Sequence, residues 1–259
     1  MPSDSPSQSL SSMQPSLRHR SQHWLSRLSA LIPTACALCG GIGNDALCTG
    51  CHRQFFQQRP HRCRQCALPL ADTAAAICGA CLTQPPAFDA TIAAADYVPP
   101  IDQMVLALKF GGRLALAPIL ARMLRDALLQ NDSGQIALPT QLTAVPLGAR
   151  RLAGRGFNQA LEIAKPLSRM LGIPLASGLV SRLRDTHAQA LLPPDERHRN
   201  IRNAFVVNDG AIDGLRGQHI GVVDDVITTG ETLNELAAML KRFGAVRVTN
   251  FVFARTLPK

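Results

Sequence analysis

The run Val222-Val223-Asp224-Asp225-Val226-Ile227-Thr228-Thr229-Gly230-Glu231-Thr232 packs two carboxylates, three hydroxyls and a glycine into one short stretch. His219-Ile220-Gly221-Val222-Val223 reads as a buried strand that stops at Asp224-Asp225. Thr228-Thr229-Gly230 then turns into a helix with Glu231 in its first turn, ending before Gly244. In an open α/β sheet, ligands bind beyond the carboxyl ends of the strands. Backbone N–H groups at a helix start, with the helix dipole behind them, suit a phosphate. Thr228, Thr229 and Thr232 add hydroxyl donors, and Gly230 lets the backbone approach closely. Two carboxylates ahead of that turn can accept hydrogen bonds from vicinal ribose hydroxyls. Together these residues describe a holder for a ribose 5-phosphate. A ligand-free helix cap would need only one Asp or Thr.

A second set of chemistry-bearing residues is separate. All eight cysteines fall in four C-x-x-C pairs: Cys36/Cys39, Cys48/Cys51, Cys63/Cys66 and Cys78/Cys81. That spacing lets two thiolates of one turn face one metal, so the set supplies two tetrahedral Cys₄ zinc sites. Sequential pairing is the simplest arrangement, interleaved pairing is the other, and disulfides are the alternative for an even count. Gly40 and Gly79 suit the knuckles, and His52 and His61 are expected at the surface or beside the metal sites rather than as ligands. Such modules rarely fold without their metal. Arg53, Arg59, Arg62 and Arg64 make nucleic acid a candidate partner of this region.

The net charge of +9 and pI near 9.6 favour anionic partners without choosing among them. One Trp and one Tyr beside nine Phe give few platforms for stacking single-stranded bases. The arginine excess gathers at Arg150, Arg151 and Arg155 and again from Arg182 to Arg202. Arg150, Arg151 and Arg155 follow Val145-Pro146-Leu147 and could neutralise phosphate through bidentate contacts, or form a solvated basic loop. Asn158 and Gln159 open the next helix and either contact ligand or cap it. Lys109 either joins the site or snorkels from a helix end. No apolar run reaches the roughly 18 residues of a membrane span. The first residues lack the apolar core of a secretory signal, although Arg18, Arg20 and Arg27 in a Ser-rich context leave an organelle presequence open. A reducing cytoplasm is the expected compartment.

Along the chain, residues 1–32 read as a disordered leader, 33–84 as a double zinc-ribbon domain and 88–259 as an apolar α/β domain. Strand signals at Ala90–Tyr97, Leu142–Pro146, Ala204–Val207, His219–Asp224 and Val246–Phe253 alternate with helical spacing at 101–110, 114–129, 157–171 and 231–243. Pro166 argues for a kink in the third helix. That alternation predicts an open, mainly parallel sheet covered on both faces by helices. The polar stretch from Arg184 to Asn200 is long for a structureless connection and is expected to act as a lid.

The acid–acid–x–x–Thr–Thr–Gly strand and turn resembles the type I phosphoribosyltransferases. The resemblance implies that Asp224 and Asp225 contact the ribose hydroxyls of phosphoribosyl pyrophosphate. It also implies that Thr228, Thr229, Gly230, Glu231 and Thr232 hold the 5-phosphate. Thr228 stands where purine-salvage members carry an acid, which argues against a purine acceptor. Val145-Pro146-Leu147-Gly148-Ala149-Arg150-Arg151-Leu152-Ala153-Gly154-Arg155-Gly156-Phe157-Asn158-Gln159 is similar to the ComF family. So is the stretch bearing Arg184, Thr186, Gln189, Leu192, Arg197, Asn200 and Phe205, and the similarity takes in the cysteine region. The implied chemistry is substitution at the anomeric carbon with loss of pyrophosphate, Mg²⁺ and the arginines carrying leaving-group charge. Two functions follow as expectations. One is a phosphoribosyl transfer to an acceptor the residues do not name. The other is a non-catalytic or regulatory protein that binds single-stranded DNA or a DNA-processing partner in DNA uptake.

Overall fold

Internal contacts divide the chain after Cys48 into two units, Met1–Cys48 and Thr49–Lys259. The computed structural model describes residues 34–130, 137–183 and 204–258. The leader expected at 1–32 and the lid expected from Arg184 to Asn200 lie outside the described residues.

In the first unit, β1 (Thr34–Ala35) pairs antiparallel with β2 (Ile42–Gly43). The connection carries Cys36 and Cys39. It closes on Gly40, whose φ of +71° lies in the left-handed region that favours glycine. The Gly40 N–H donates to Cys36 O (2.9 Å), and the Cys48 N–H donates to Cys36 Sγ (3.3 Å).

The second unit opens with α1 (Thr49–His52), which runs into a π-helical turn at Arg53–Gln57. A second knuckle then repeats the hydrogen bonding of the first. The Ala67 N–H donates to Cys63 O (2.8 Å), and the Cys78 N–H donates to Cys63 Sγ (3.3 Å). Here the left-handed position is held by Ala67 (φ 59°), fully buried in the apolar core. Gly79, expected to serve a knuckle, instead begins α2 (Gly79–Thr83) and has no positive φ.

The main sheet has the order β3-β8-β7-β4 and is parallel throughout: β3 (Ala90–Asp96), β4 (Gln141–Ala144), β7 (His219–Ile227) and β8 (Arg247–Arg255). Valine, isoleucine, phenylalanine and alanine fill both faces of the two central strands, as a doubly covered sheet requires. On one face, Ile220, Val222, Val248 and Val252 share a core with Leu233, Leu236 and Leu240 of α7 (Glu231–Arg242). Elsewhere α3 (Ile101–Lys109) follows β3. Next, α4 (Ala117–Leu129) and α6 (Gln159–Leu171) pack on each other and on the strands. Phe253 meets Phe56 with ring centroids 6.2 Å apart. Pro166 lies inside α6, which Asn158 caps through the N–H groups of Ala160 and Leu161.

Three expectations are corrected. The acid-bearing strand does not stop at Asp224-Asp225, because pairing with β8 continues through Val226↔Ala254 and Ile227↔Arg255. The basic stretch after Leu147 is not a loop but a short helix, α5 (Ala149–Arg155), closed by Gly156 at φ +80°. The strand at Phe205–Val207, β6, leaves the parallel sheet and pairs antiparallel with β5 (Val180–Arg182).

The second knuckle covers the exposed edge of β3. The Thr91 N–H donates to Arg64 O (3.0 Å), and Arg62 pairs with Asp96 (2.8 Å). An edge strand left bare would offer its backbone groups to another chain.

Two stability expectations arise from the central strands. A Cβ at Gly221 would lie 2.4 Å from Leu142 Cδ2 and 2.9 Å from Pro139 Cγ. Gly221→Ala should therefore cost about 2 kcal/mol through overpacking, read as a lowered urea midpoint. His219 is buried, with Nε2 2.8 Å from Thr249 Oγ1, and burial followed by the Arg247 charge pulls its pKa below the usual imidazole value. The unfolded chain thus takes up a proton that the native state refuses. His219 supports stability above about pH 6.5 and loses that support as the pH falls. The melting temperature should drop more between pH 7.5 and 5.5 in the native sequence than in His219→Asn.

Candidate ribose-phosphate site and cysteine sites

The carboxyl ends of β3, β4, β7 and β8 face a cleft of about 390 Å³. Its walls carry Lys109, Arg151, Asp224, Asp225, Thr228, Gly230 and Thr232 of the residues expected from sequence. Thr229, Glu231, Arg150 and Arg155 are not among the lining residues. Arg150 is exposed on α5, while Arg155 lies over the Phe110 ring (5.3 Å) and donates to Gln159 Oε1. Arg155 still feels the site: burial pulls its guanidinium below its usual value, and the Asp225 charge opposes that shift.

Asp225 is buried, and Lys109 Nζ sits 2.7 Å from its Oδ2. Lys109 therefore joins the site. The two acids are tied to the backbone, with Asp225 N–H donating to Asp224 Oδ1 (2.9 Å) and Val226 N–H donating to Asp225 Oδ1 (2.8 Å). Burial, and then the neighbouring Asp225 carboxylate, push the Asp224 pKa up to about 8, against the pull of Lys109. One lysine thus compensates one carboxylate of the pair, and the second carboxylate has no cation as close.

The turn matches the residues that make it. Gly230 has φ +88° and stands at the N-cap of α7, with Glu231 in the first turn. Asn234 N–H donates to Gly230 O (2.8 Å), and Asn234 Oδ1 accepts from the Ala87 N–H (2.6 Å). Asn158 is structural, for its Nδ2 donates to Val145 O (3.0 Å) while its Oδ1 caps α6. Gln159 reaches the cleft wall.

Tyr97, Arg182 and Thr256 also line the cleft and were not singled out from sequence. Tyr97 and Thr256 directly follow β3 and β8, so the rule that ligands lie beyond parallel strand ends could have found both. Arg182 belongs to β5 and lies over the Phe205 ring (5.3 Å), a placement that no local signal gives.

The cysteines group sequentially. Sulfurs of Cys36, Cys39, Cys48 and Cys51 lie within 4.8 Å of one another, and so do those of Cys63, Cys66, Cys78 and Cys81. Cys39 and Cys48 sulfurs are 3.8 Å apart, and Cys66 and Cys78 sulfurs 3.6 Å. Four sulfurs about 2.3 Å from one zinc would sit about 3.8 Å apart, whereas a disulfide needs about 2.05 Å. The donor set fits zinc. Burial pushes the Cys66 thiol up to about 11 and Cys81 higher still, a cost that a cation among the sulfurs removes. Among the described residues, no helix is long and apolar enough to cross a membrane.

Residues 27–82 match the double zinc ribbon domain, and residues 158–257 match the phosphoribosyl transferase domain. The DNA utilization protein YhgH of Salmonella typhimurium is 37% identical over 87% of this chain and 99% of its own length. Its Escherichia coli K12 counterpart is 36% identical with the same coverage. Competence protein F of Haemophilus influenzae is 34% identical over 85% of this chain and 96% of its own. With two four-cysteine groups ahead of a parallel sheet bearing the acid pair, the chain belongs to the ComF family of double-zinc-ribbon, phosphoribosyltransferase-type proteins.

Proposed function

We propose that the cleft binds phosphoribosyl pyrophosphate and opens its bond from the anomeric carbon to pyrophosphate. The observation that carries this reading is the acid pair at a parallel strand end facing the same cleft as the Gly230 turn. Asp224 and Asp225 accept from the ribose hydroxyls. Thr228, Thr229, Gly230, Glu231 and Thr232 hold the 5-phosphate at the start of α7. Arg151 and Arg182, on the cleft wall, face the pyrophosphate end, with Arg150 and Arg155 adding positive field from α5. Asp224 is the carboxylate that fits a Mg²⁺ carried by the pyrophosphate, since Lys109 engages Asp225. That Mg²⁺ would neutralise leaving-group charge. In the transfer, a nucleophilic acceptor forms a bond to the anomeric carbon while pyrophosphate leaves with the bonding electron pair. Charge developing on the ribosyl group is favoured by the two acids. Two cysteine clusters built from thiols fit a reducing compartment such as the cytoplasm.

Calorimetric titration of phosphoribosyl pyrophosphate with Mg²⁺ into the full chain tests the reading. Saturable binding well above that of inorganic pyrophosphate is expected, followed by acceptor-dependent pyrophosphate release. Affinity no better than that of pyrophosphate alone would overturn it.

A second reading rests on the relatives' names, which speak of DNA utilization and competence. Arg53 and Arg64 are exposed in the cysteine region. If this chain handles single-stranded DNA or a DNA-processing partner, oligonucleotide affinity falls steeply with salt and falls again in Arg53→Ala, Arg64→Ala.

A further inference from the structure

Arg255 closes β8 and is nine-tenths buried. Its guanidinium is solvated by carbonyl dipoles. Nε donates to Cys66 O (3.1 Å), and Nη1 donates to Ile227 O (3.2 Å), Thr256 O (3.0 Å) and Thr228 O. One planar fork therefore fixes a residue of the second four-cysteine group and the first residue of the Thr-Gly turn. Hydrogen bonds from a charged donor are the strong kind, and a rigid fork transmits position better than a flexible ammonium.

A second tie runs through the apolar core. Ala67, directly after Cys66, belongs to the same buried cluster as Phe88, Ile227 and Leu233. Phe88 and Ile227 lie beneath Gly230, where a Cβ would meet them at 3.8 and 3.5 Å. The Cys66 backbone is in turn set by its thiol, which stands 3.6 Å from Cys78 Sγ. A cation bonded to all four sulfurs would hold that thiol far more firmly than these contacts alone, so its loss lets Cys66 O leave the fork.

We infer that Arg255 is a positioning residue that couples occupancy of the Cys63, Cys66, Cys78, Cys81 site to the order of the Thr228–Thr232 turn. The two states are Arg255 engaged on Cys66 O with the turn ordered, and Arg255 released with the turn loosened. Couplings of this kind change affinity by about 5- to 150-fold and are reciprocal, so ligand on the turn must tighten metal at the cysteines by the same factor. The ligand half of the inference rests on the functional reading above; the mechanical half does not.

Hydrogen exchange on the full chain, with no ligand and with or without a zinc-selective chelator, reads the mechanical half. The amides of Asn234 and Thr256, bonded to Gly230 O and Ile227 O, should exchange about tenfold faster once the metal is removed. The Val145 amide, bonded to Val223 O, should not change. Unchanged exchange at Asn234 and Thr256 would overturn the coupling. Zinc competition with a chromogenic chelator reads the reciprocal half, using ribose 5-phosphate because pyrophosphate would itself bind zinc. Saturating ribose 5-phosphate should raise zinc affinity at one of the two sites about tenfold. In Arg255→Lys, still carrying two zinc ions, both effects should vanish; if they persist, Arg255 is not the link. If that variant does not fold, the two measurements on the native sequence still decide the coupling. Failure of ribose 5-phosphate to bind at all would defeat the functional reading, leaving the exchange result to judge the mechanical half.

Discussion

Alanine at both Asp224 and Asp225 is expected to weaken phosphoribosyl pyrophosphate binding about 100-fold, leaving zinc content unchanged. Two effects of opposite sign compete in that variant. Removing two acids from a site for a polyanion could relieve repulsion and tighten binding. Removing two hydroxyl acceptors should weaken it. Repulsion is already reduced, because Lys109 sits 2.7 Å from Asp225 and a Mg²⁺ carried by the ligand would offset the Asp224 charge. Two lost hydrogen bonds at roughly 1–2 kcal/mol each then dominate, giving about 3 kcal/mol or about 100-fold. Calorimetry on the native chain and the double variant checks this. Tighter binding in the variant would mean the acids only repel, and equal binding would mean they do not touch the ligand.

Metal removal is the other large effect. Stripping zinc should raise tryptic cleavage after Arg62 and Arg64 by at least about 100-fold, because the second knuckle has little to hold it without a cation. That acceleration needs only about 2.7 kcal/mol of the roughly 10–16 kcal/mol that structural zinc sites supply. The knuckle covers β3 through Thr91 N–H to Arg64 O and through Arg62 to Asp96. Its loss should therefore bare a strand edge and drive self-association, visible by light scattering. An unchanged cleavage pattern in the stripped protein would show that apolar packing around Ala67 is enough by itself.

The acid pair, the glycine turn and the cysteine pairs were legible because each rests on residue types at short, fixed spacing. Strands with Val, Ile and Phe on both faces announced a buried parallel sheet for the same reason. What failed needed partners far away in sequence. The extension of β7 past Asp225 depends on pairing with Ala254 and Arg255, and the displacement of Phe205–Val207 depends on Val180–Arg182. Helix α5 formed where a basic loop was expected, since Ala149 to Leu152 are good helix formers and Gly156 supplies the stop. Ala67 in a left-handed turn has no sequence signal, because alanine gains nothing locally from that conformation and is held there by burial.

The strand order carries a consequence for how the molecule is made. Of the four strands in the main sheet β8 comes last in sequence, yet it lies in the middle, between β3 and β7. On the ribosome, β3 and the acid-bearing β7 emerge with a gap between them that only β8 can fill. Asp224 and Asp225 thus leave the exit tunnel before the neighbour that fixes their backbone. A released chain that ends before Arg247 would hold two separate strand groups and no closed cleft, so a premature stop there yields a protein without this site rather than a weakened one.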